Sequence, residues 1–443
     1  MSQKWQDMYK SKLKTAEEAV SMIRDNEVIS SSFGIGHPIG LFRALQKRVN
    51  EGKLRNPRVL ASCMYRGEEH PLLDPSIKGL IEWDSFFVGD ERGWVREGFH
   101  THSPTKFGDL DRISGEGLRS VQVSALTVSP MDDHGFFSTG ISVDFGWGIA
   151  KSNPNRRLFI LEVNPQMPRS YGNNHVHISE VDVVTECDIP LVELPAPPIK
   201  KEWETMAGYI ADMVPNGATL QIGYGGIPGA VGLALKDKRD LGVHTEVIPD
   251  VLLDLYEAGA ITCARKTFMP YKWVASFATG SRRLYDFVHE NPMIEMHTLG
   301  FVNNPYNIAQ NDNMISINAT LQVDLTGQCC SEAIGPVQYS ATGGQVDFVQ
   351  GAWLSKGGKS FLALESTYVD RNGQRHSKIV PQLNPGSFVT TSRTEVHWVV
   401  TEFGAVLLKG QNIKTRVARL ISIAHPDFRD ELRYAAKKMG YLS

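Results

Sequence analysis

The chain has 443 residues and a formal net charge of −3, with 42% hydrophobic and 21% charged residues. That length suits two or three domains, and the near-balanced charge gives no support to a nucleic-acid or acidic-membrane partner. No apolar run reaches the ~18 residues that a membrane-spanning helix needs.

The first residues, MSQKWQDMYKSKLKTAEEAV, lack the apolar core of a signal peptide, so a cytoplasmic protein is expected. The five cysteines (Cys63, Cys187, Cys263, Cys329 and Cys330) form an odd, scattered set. Such a set argues against a disulfide framework and for a reducing compartment. Cys329-Cys330 lacks metal-ligand spacing and reads as a pair of buried small residues.

Residues 22–45, MIRDNEVISSSFGIGHPIGLFRAL, run from a helix end through a polar turn and a strand to Gly34, Gly36 and a helix. The same order returns at 213–235 as MVPNGATLQIGYGGIPGAVGLAL. Gly34 and Gly36 match Gly223 and Gly225, Pro38 matches Pro228 and Leu45 matches Leu235, so the chain reads as an internal duplication. β-rich runs such as LRSVQVSALTVSP, RRLFILEVN, ISINATLQVD and KSFLALEST alternate with helical patterns in both halves. This alternation predicts two tandem, similarly folded open α/β domains with mostly parallel sheets and a cleft between their strand ends.

SPMDDHGFFSTG (129–140) and EVNPQMPRSYGNNHVHISEVD (162–182) are dense in turn formers. His134, His175 and His177 lack an HxxxH or HExxH spacing, so no metal is expected. PLVELPAPPIKKEW (190–203) holds four prolines and reads as a linker. It separates a domain over 1–195 from a domain over 204–443.

The glycine loop at 223–229, GYGGIPG, follows a strand and opens a helix. It reads either as a structural turn or as a place where backbone N–H groups approach a substrate oxygen or phosphate. Its GxGxxxG spacing and internal proline count against a dinucleotide site. Glu246 ends the next β-compatible run, LGVHT, and reads either as a solvated helix start or as a nucleophile at a strand end. With the ordinary glutamate pKa of about 4.3 it would be ionised at pH 7 and need no general base. Asn318 is either a hydrogen-bonded strand residue or an oxyanion donor. The TGGQ turn with Gly343, Gly344 and Gln345 is either a hairpin or a close pass of backbone along a long cofactor arm.

Together these motifs resemble the family I CoA-transferases, in the subgroup of 4-hydroxybutyrate and butyrate:acetate CoA-transferases. The resemblance spans most of the chain and rests on HTE at 244–246, the glycine loops at 223–226 and 342–345, NATLQVDLTGQ at 318–328, SPMDDHG at 129–135 and EVNPQMPR at 162–169. It implies that Glu246 is the nucleophile, that Asn318 and the Gly343-Gly344 turn bind the oxyanion, and that coenzyme A lies near Gly223, Gly225, Gly226 and Gln345. It also implies a ping-pong exchange of CoA between an acyl-CoA donor and a small C2–C5 carboxylate, without a metal, in a homodimer or homotetramer.

REGFHTHSPTKFGDLDR (96–112) departs from the subgroup by lacking a serine-glutamate pair. His100, His102 and Lys106 stand there instead, with Arg66 and His70 upstream in MYRGEEHP. These side chains are either solvated surface or a cationic lining for the acyl pocket, with Arg66, His70 and His100 as substrate-binding residues. The second reading points to a dicarboxylate such as succinyl-CoA with itaconate. The rivals are a thioester hydrolase on the same scaffold, a nicotinamide-binding dehydrogenase and a non-catalytic acyl-CoA-binding protein.

Overall fold

The computed structural model describes residues 3–62, 70–194 and 196–443. The chain forms two compact units: Met1–Leu194 with Val274–Val302, and Pro195–Trp273 with Asn303–Ser443. The boundary at Leu194 falls within the proline-rich stretch. The linear division at 195–204 does not capture the return of 274–302 to the first unit. That segment is held there by backbone pairing that local pattern does not reveal. Glu295 and Met296 pair with Tyr171 and Gly172, the Val143 amide donates to the Ser276 carbonyl at 2.8 Å, and the Gly300 amide donates to Asp111 at 3.2 Å.

The first unit is built on seven strands: Val28–Phe33 (β1), Arg58–Ser62 (β2), Glu82–Ser85 (β3), Thr101–His102 (β4), Val123–Val128 (β5), Leu158–Val163 (β6) and Val183–Glu186 (β7). They lie in the order β7-β6-β5-β1-β2-β3-β4, with every pair parallel. β5 and β6 are buried along their whole length, as expected where both faces of a parallel sheet are covered. Helix Ile39–Asn50 (α1) lays Leu41, Phe42, Leu45 and Val49 onto Ile29, Val59, Val123 and Ile160. The buried Glu162 carboxylate receives the Gly40 and Leu41 amides at 3.2 and 2.7 Å, which satisfies otherwise unpaired donors at the start of α1.

The second unit carries Thr219–Ile222 (β8), Gly242–Val243 (β9), Met314–Ala319 (β10), Lys359–Ala363 (β11), Trp398–Thr401 (β12) and Gly404–Leu407 (β13). Their order is β9-β8-β10-β11-β12-β13, parallel except for the closing β12–β13 hairpin. Helices Lys201–Met213 (α2), Gly226–Ala234 (α3) and Gln345–Leu354 (α4) belong to this unit. The duplicated sequence takes the same local form in each unit: a parallel strand (β1 or β8), a glycine turn, then a helix (α1 or α3). Cys329 and Cys330 are both fully buried, as their composition led us to expect.

Candidate active site

β8, β9 and β10 are adjacent and parallel, so their carboxyl ends open on one edge of the second sheet. Ligands of open α/β sheets gather at such edges. Glu246 lies just beyond β9. His244 and Thr245 before it are fully buried. His244 Nδ1 pairs with Asn311 at 3.1 Å, and the Thr245 hydroxyl donates to the Val247 carbonyl at 3.0 Å. The two residues preceding the glutamate therefore anchor it and leave its carboxylate to project from a fixed backbone.

Asn303 Nδ2 donates to Glu246 Oε2 at 2.6 Å. The Gly344 amide also donates to this carboxylate, from the N-terminus of the ten-residue helix α4. A Cβ on Gly344 would stand 2.0 Å from Glu246 Oε2 and 2.1 Å from Asn303 Nδ2, so the missing side chain is the space the carboxylate uses. Gly343 takes a φ of 56°, a left-handed conformation that glycine adopts without strain and that turns the chain into α4. Gln345 is buried, and its Nε2 has no hydrogen-bond partner among the described residues. A buried donor left without a partner in this way fits a ligand oxygen.

Burial pushes the Glu246 pKa up to about 7. The Asn303 hydrogen bond opposes this shift, the Asp347 charge adds to it and the Gly344 amide opposes it. The expectation of an ordinary glutamate pKa is therefore corrected: burial raises it. A carboxylate with a raised pKa is a stronger nucleophile when charged and is poised near neutral pH.

Asn318 does not join this cluster among the described contacts. Its Nδ2 donates to Gln221 Oε1 at 3.0 Å, and Gln221 Nε2 donates back to Asn318 Oδ1 at 3.0 Å. The reciprocal amide pair braces β8 against β10, directly beneath the glycine loop. The amide on Glu246 belongs instead to Asn303, 57 residues downstream of the glutamate. Asn303 stands outside every motif that the sequence singled out, and nothing in FVNNPY (301–306) ties it to Glu246.

The glycines of the loop differ in role. Gly225 has a φ of 134°, and a Cβ there would meet nothing closer than a proline Cδ at 3.9 Å, so its backbone is open to a ligand. Gly223 faces the Asn318 side chain, 3.1 Å from where its own Cβ would be. The space beside Gly226 is already filled by the Trp203 ring. Gly226 is thus a packing glycine on its Cα face.

In the first unit His70 and His100 do not form the expected cationic lining. His70 is buried, its Nδ1 accepts the Leu72 amide at 3.2 Å, and its Nε2 lies 2.9 Å from His37 Nδ1. Burial, with the neighbouring His37, holds the His70 pKa well below the usual histidine range. His100 packs between Trp83 and Trp94, and burial pushes its pKa down to about 4. Both rings are neutral at pH 7 and cannot pair a second carboxylate electrostatically. Arg66 lies outside the described residues. Of the signature motifs, Arg169 donates to Asp132 at 2.9 Å and to the Pro130 carbonyl at 3.1 Å, so SPMDDHG and EVNPQMPR tie the first unit's loops together.

Two family models match the chain: the acetyl-CoA hydrolase/transferase N-terminal domain over residues 1–193 and its C-terminal domain over residues 280–436. The chain belongs to the acetyl-CoA hydrolase/transferase family. A succinyl-CoA:cyclohexane-1-carboxylate CoA transferase of Geobacter metallireducens is 44% identical over 98% of this chain and 96% of its own length. A 4-hydroxybutyrate coenzyme A transferase of Clostridium kluyveri is 41% identical over 98% of this chain and 99% of its own. The crystal structure of RipA from Yersinia pestis superposes with a TM-score of 0.91 at 41% identity, covering 99% of this chain and 100% of that one. Within this acetyl-CoA hydrolase/transferase family, the relatives that span the chain at 40–44% identity are CoA-transferases.

Proposed function

We propose that the chain transfers coenzyme A between small carboxylic acids through a covalent thioester on Glu246. The observation that carries this reading is the constrained carboxylate, held by the Asn303 amide and the Gly344 N–H at the start of α4. The ionised Glu246 attacks the acyl-CoA carbonyl, the C–S bond breaks, and a mixed anhydride forms with release of CoA thiolate. The thiolate attacks the glutamyl carbonyl, expelling the donor carboxylate and leaving enzyme–CoA thioester. An acceptor carboxylate attacks the glutamyl carbonyl of that thioester, the C–S bond breaks to give CoA thiolate and a new mixed anhydride, and the thiolate attacks the acceptor's acyl carbonyl, releasing acyl-CoA and the Glu246 carboxylate. In each tetrahedral step, charge develops on an oxygen within reach of the same N–H donors. Holding the thiolate in place favours its return over hydrolysis of the anhydride.

Because the attacking species is the carboxylate, protonation removes it. The rate of CoA-adduct formation in single-turnover mass spectrometry should rise with pH through a midpoint near 7, the value to which Glu246 is pushed. Asn303→Ala removes an interaction that favours the charged form, so the midpoint should move to higher pH and the plateau rate should fall. A profile flat from pH 5 to 8 would contradict the raised pKa.

The substrates we propose are C2–C5 acids, including a dicarboxylate such as succinate or itaconate. The relative named for 4-hydroxybutyrate supports that size range; the one named for succinyl-CoA is named also for cyclohexane-1-carboxylate, a seven-carbon acid above it. With His70 and His100 neutral, recognition of a second carboxylate rests on Arg66. Arg66→Ala should lower kcat/KM for succinyl-CoA at least about tenfold more than for butyryl-CoA, the loss of one charge-assisted pair. Equal losses would remove the dicarboxylate preference from the proposal. We place the enzyme in the cytoplasm as a homodimer or homotetramer. Among the described residues no helix is long and apolar enough to cross a membrane. Sedimentation of the purified chain tests the assembly.

A further inference from the structure

The indole of Trp203, near the start of α2, lies directly against Gly226, the first residue of α3. A Cβ on Gly226 would stand 2.0 Å from the ring's Cζ3 and 2.3 Å from Cη2. The ring is fixed from its other edge. Trp203 Nε1 donates to Glu365 Oε1 at 2.7 Å, and Lys200 Nζ donates to the same oxygen at 2.9 Å. Lys200 also stands over the indole, 4.8 Å from its centroid, and Lys378 Nζ approaches Glu365 Oε2 at 4.0 Å. Burial disfavours a charge on Glu365, but the hydrogen bonds from Lys200 and Trp203 and the charges of Lys378 and Lys200 outweigh it, holding the carboxyl below its ordinary range. Glu365 follows β11 closely, so the parallel sheet itself is the rigid base of this contact.

We infer that Trp203 and Glu365 are positioning residues for coenzyme A: they clamp the glycine loop at Gly226 and so fix the open backbone of Gly225 for the ligand. The inference rests on the proposed transferase reaction and extends it to residues that do not touch the reacting atoms. Gly225 adopts a backbone conformation that only glycine takes readily, and one residue later the chain must enter α3. A loop of this kind has few side chains with which to hold itself. The indole supplies the missing packing, and its N–H bond to Glu365 sets the depth of the ring. Positioning of this type contributes to substrate binding before chemistry, so its loss should appear in KM more than in kcat.

The test compares Trp203→Leu, Glu365→Leu, Glu365→Gln and the double variant Trp203→Leu/Glu365→Leu in the full chain. Kinetics use whichever of acetyl-, butyryl- or succinyl-CoA the wild type turns over fastest, alongside thermal melts. Trp203→Leu and Glu365→Leu should each raise KM for the acyl-CoA about tenfold or more, with kcat within about threefold of wild type. Glu365→Gln keeps an oxygen acceptor for the indole N–H and should stay close to wild type. The double variant should be no worse than Trp203→Leu alone, because both substitutions break one clamp. KM unchanged in both leucine variants, or kcat and melting temperature falling together while KM holds, would overturn the inference. If the wild type itself forms no CoA adduct with any donor, the functional reading fails first and the clamp loses its purpose. Wild-type turnover with insensitive variants would refute the clamp alone.

Discussion

Glu246→Ala should abolish the CoA adduct seen by intact-protein mass spectrometry after incubation with acyl-CoA, and should lower turnover by at least about 10⁴-fold, as for other enzymes deprived of a covalent nucleophile. The substitution removes the atom that forms the bond. The two groups that hold it do not replace it: Asn303 Nδ2 is a donor, and Gly344 offers only its N–H. Folding should survive, because the substitution deletes a carboxylate that burial has driven to a pKa of about 7 and whose desolvation opposes folding at neutral pH. The sign follows from linkage: a carboxyl whose pKa is raised in the folded state costs stability as pH climbs from its unfolded pKa to its folded one. The alanine variant should therefore melt at or above the wild-type temperature at pH 8, and less favourably by comparison at pH 5. Retained turnover in a folded alanine variant would exclude the glutamyl mechanism. Steady CoA release by the wild type without any carboxylate acceptor would favour the hydrolase reading.

Gly344→Ala should cost about 10²–10³-fold in turnover, comparable to losing an oxyanion donor, while leaving the melting temperature within a few degrees. Backbone strain is not the reason. Gly344 has φ −95° and ψ 4°, which alanine can adopt. The added methyl would meet the ends of two side chains, Glu246 Oε2 at 2.0 Å and Asn303 Nδ2 at 2.1 Å. Such side chains can swing aside, so the fold tolerates the change. The carboxylate would then lose both its place at the α4 N-terminus and its Asn303 hydrogen bond. Adduct formation measured against acyl-CoA concentration distinguishes this from weakened binding: the maximal single-turnover rate should fall, whereas a pure KM effect would contradict the assignment.

The contrast between Glu246 and the histidines shows what local pattern carries. Glu246 was legible because a strand end is a place, and the HTE motif put a carboxylate there. Gly343 and Gly344 were legible because glycine pairs before a helix mark a close approach of backbone. His70 and His100 were misleading as cations. Their flanking sequences are polar, yet the structure buries both rings against Trp83, and burial removes their charge. No local pattern states that a histidine will face a tryptophan from another strand.

Asn318 and Asn303 make the same point within one site. Asn318 occupies the strand end that sequence reasoning favoured; the sheet register sets Gln221 opposite Ser316, two residues before it, and the two amides satisfy each other diagonally across the strands. Asn303 reaches Glu246 from a separate segment and needs only proximity, which chain separation conceals.

By itself, the sequence determined the class of fold and the duplicated strand–glycine–helix unit, and it singled out Glu246 as the candidate nucleophile. Hydrophobic periodicity, glycine placement and residue type are local properties, written in consecutive residues. The tertiary structure decided which amide binds the carboxylate, which glycine is open and which is filled, where 274–302 belongs and what charge each buried side chain carries. Those depend on distances between segments far apart in the chain and on how completely the fold removes water from around an ionisable group.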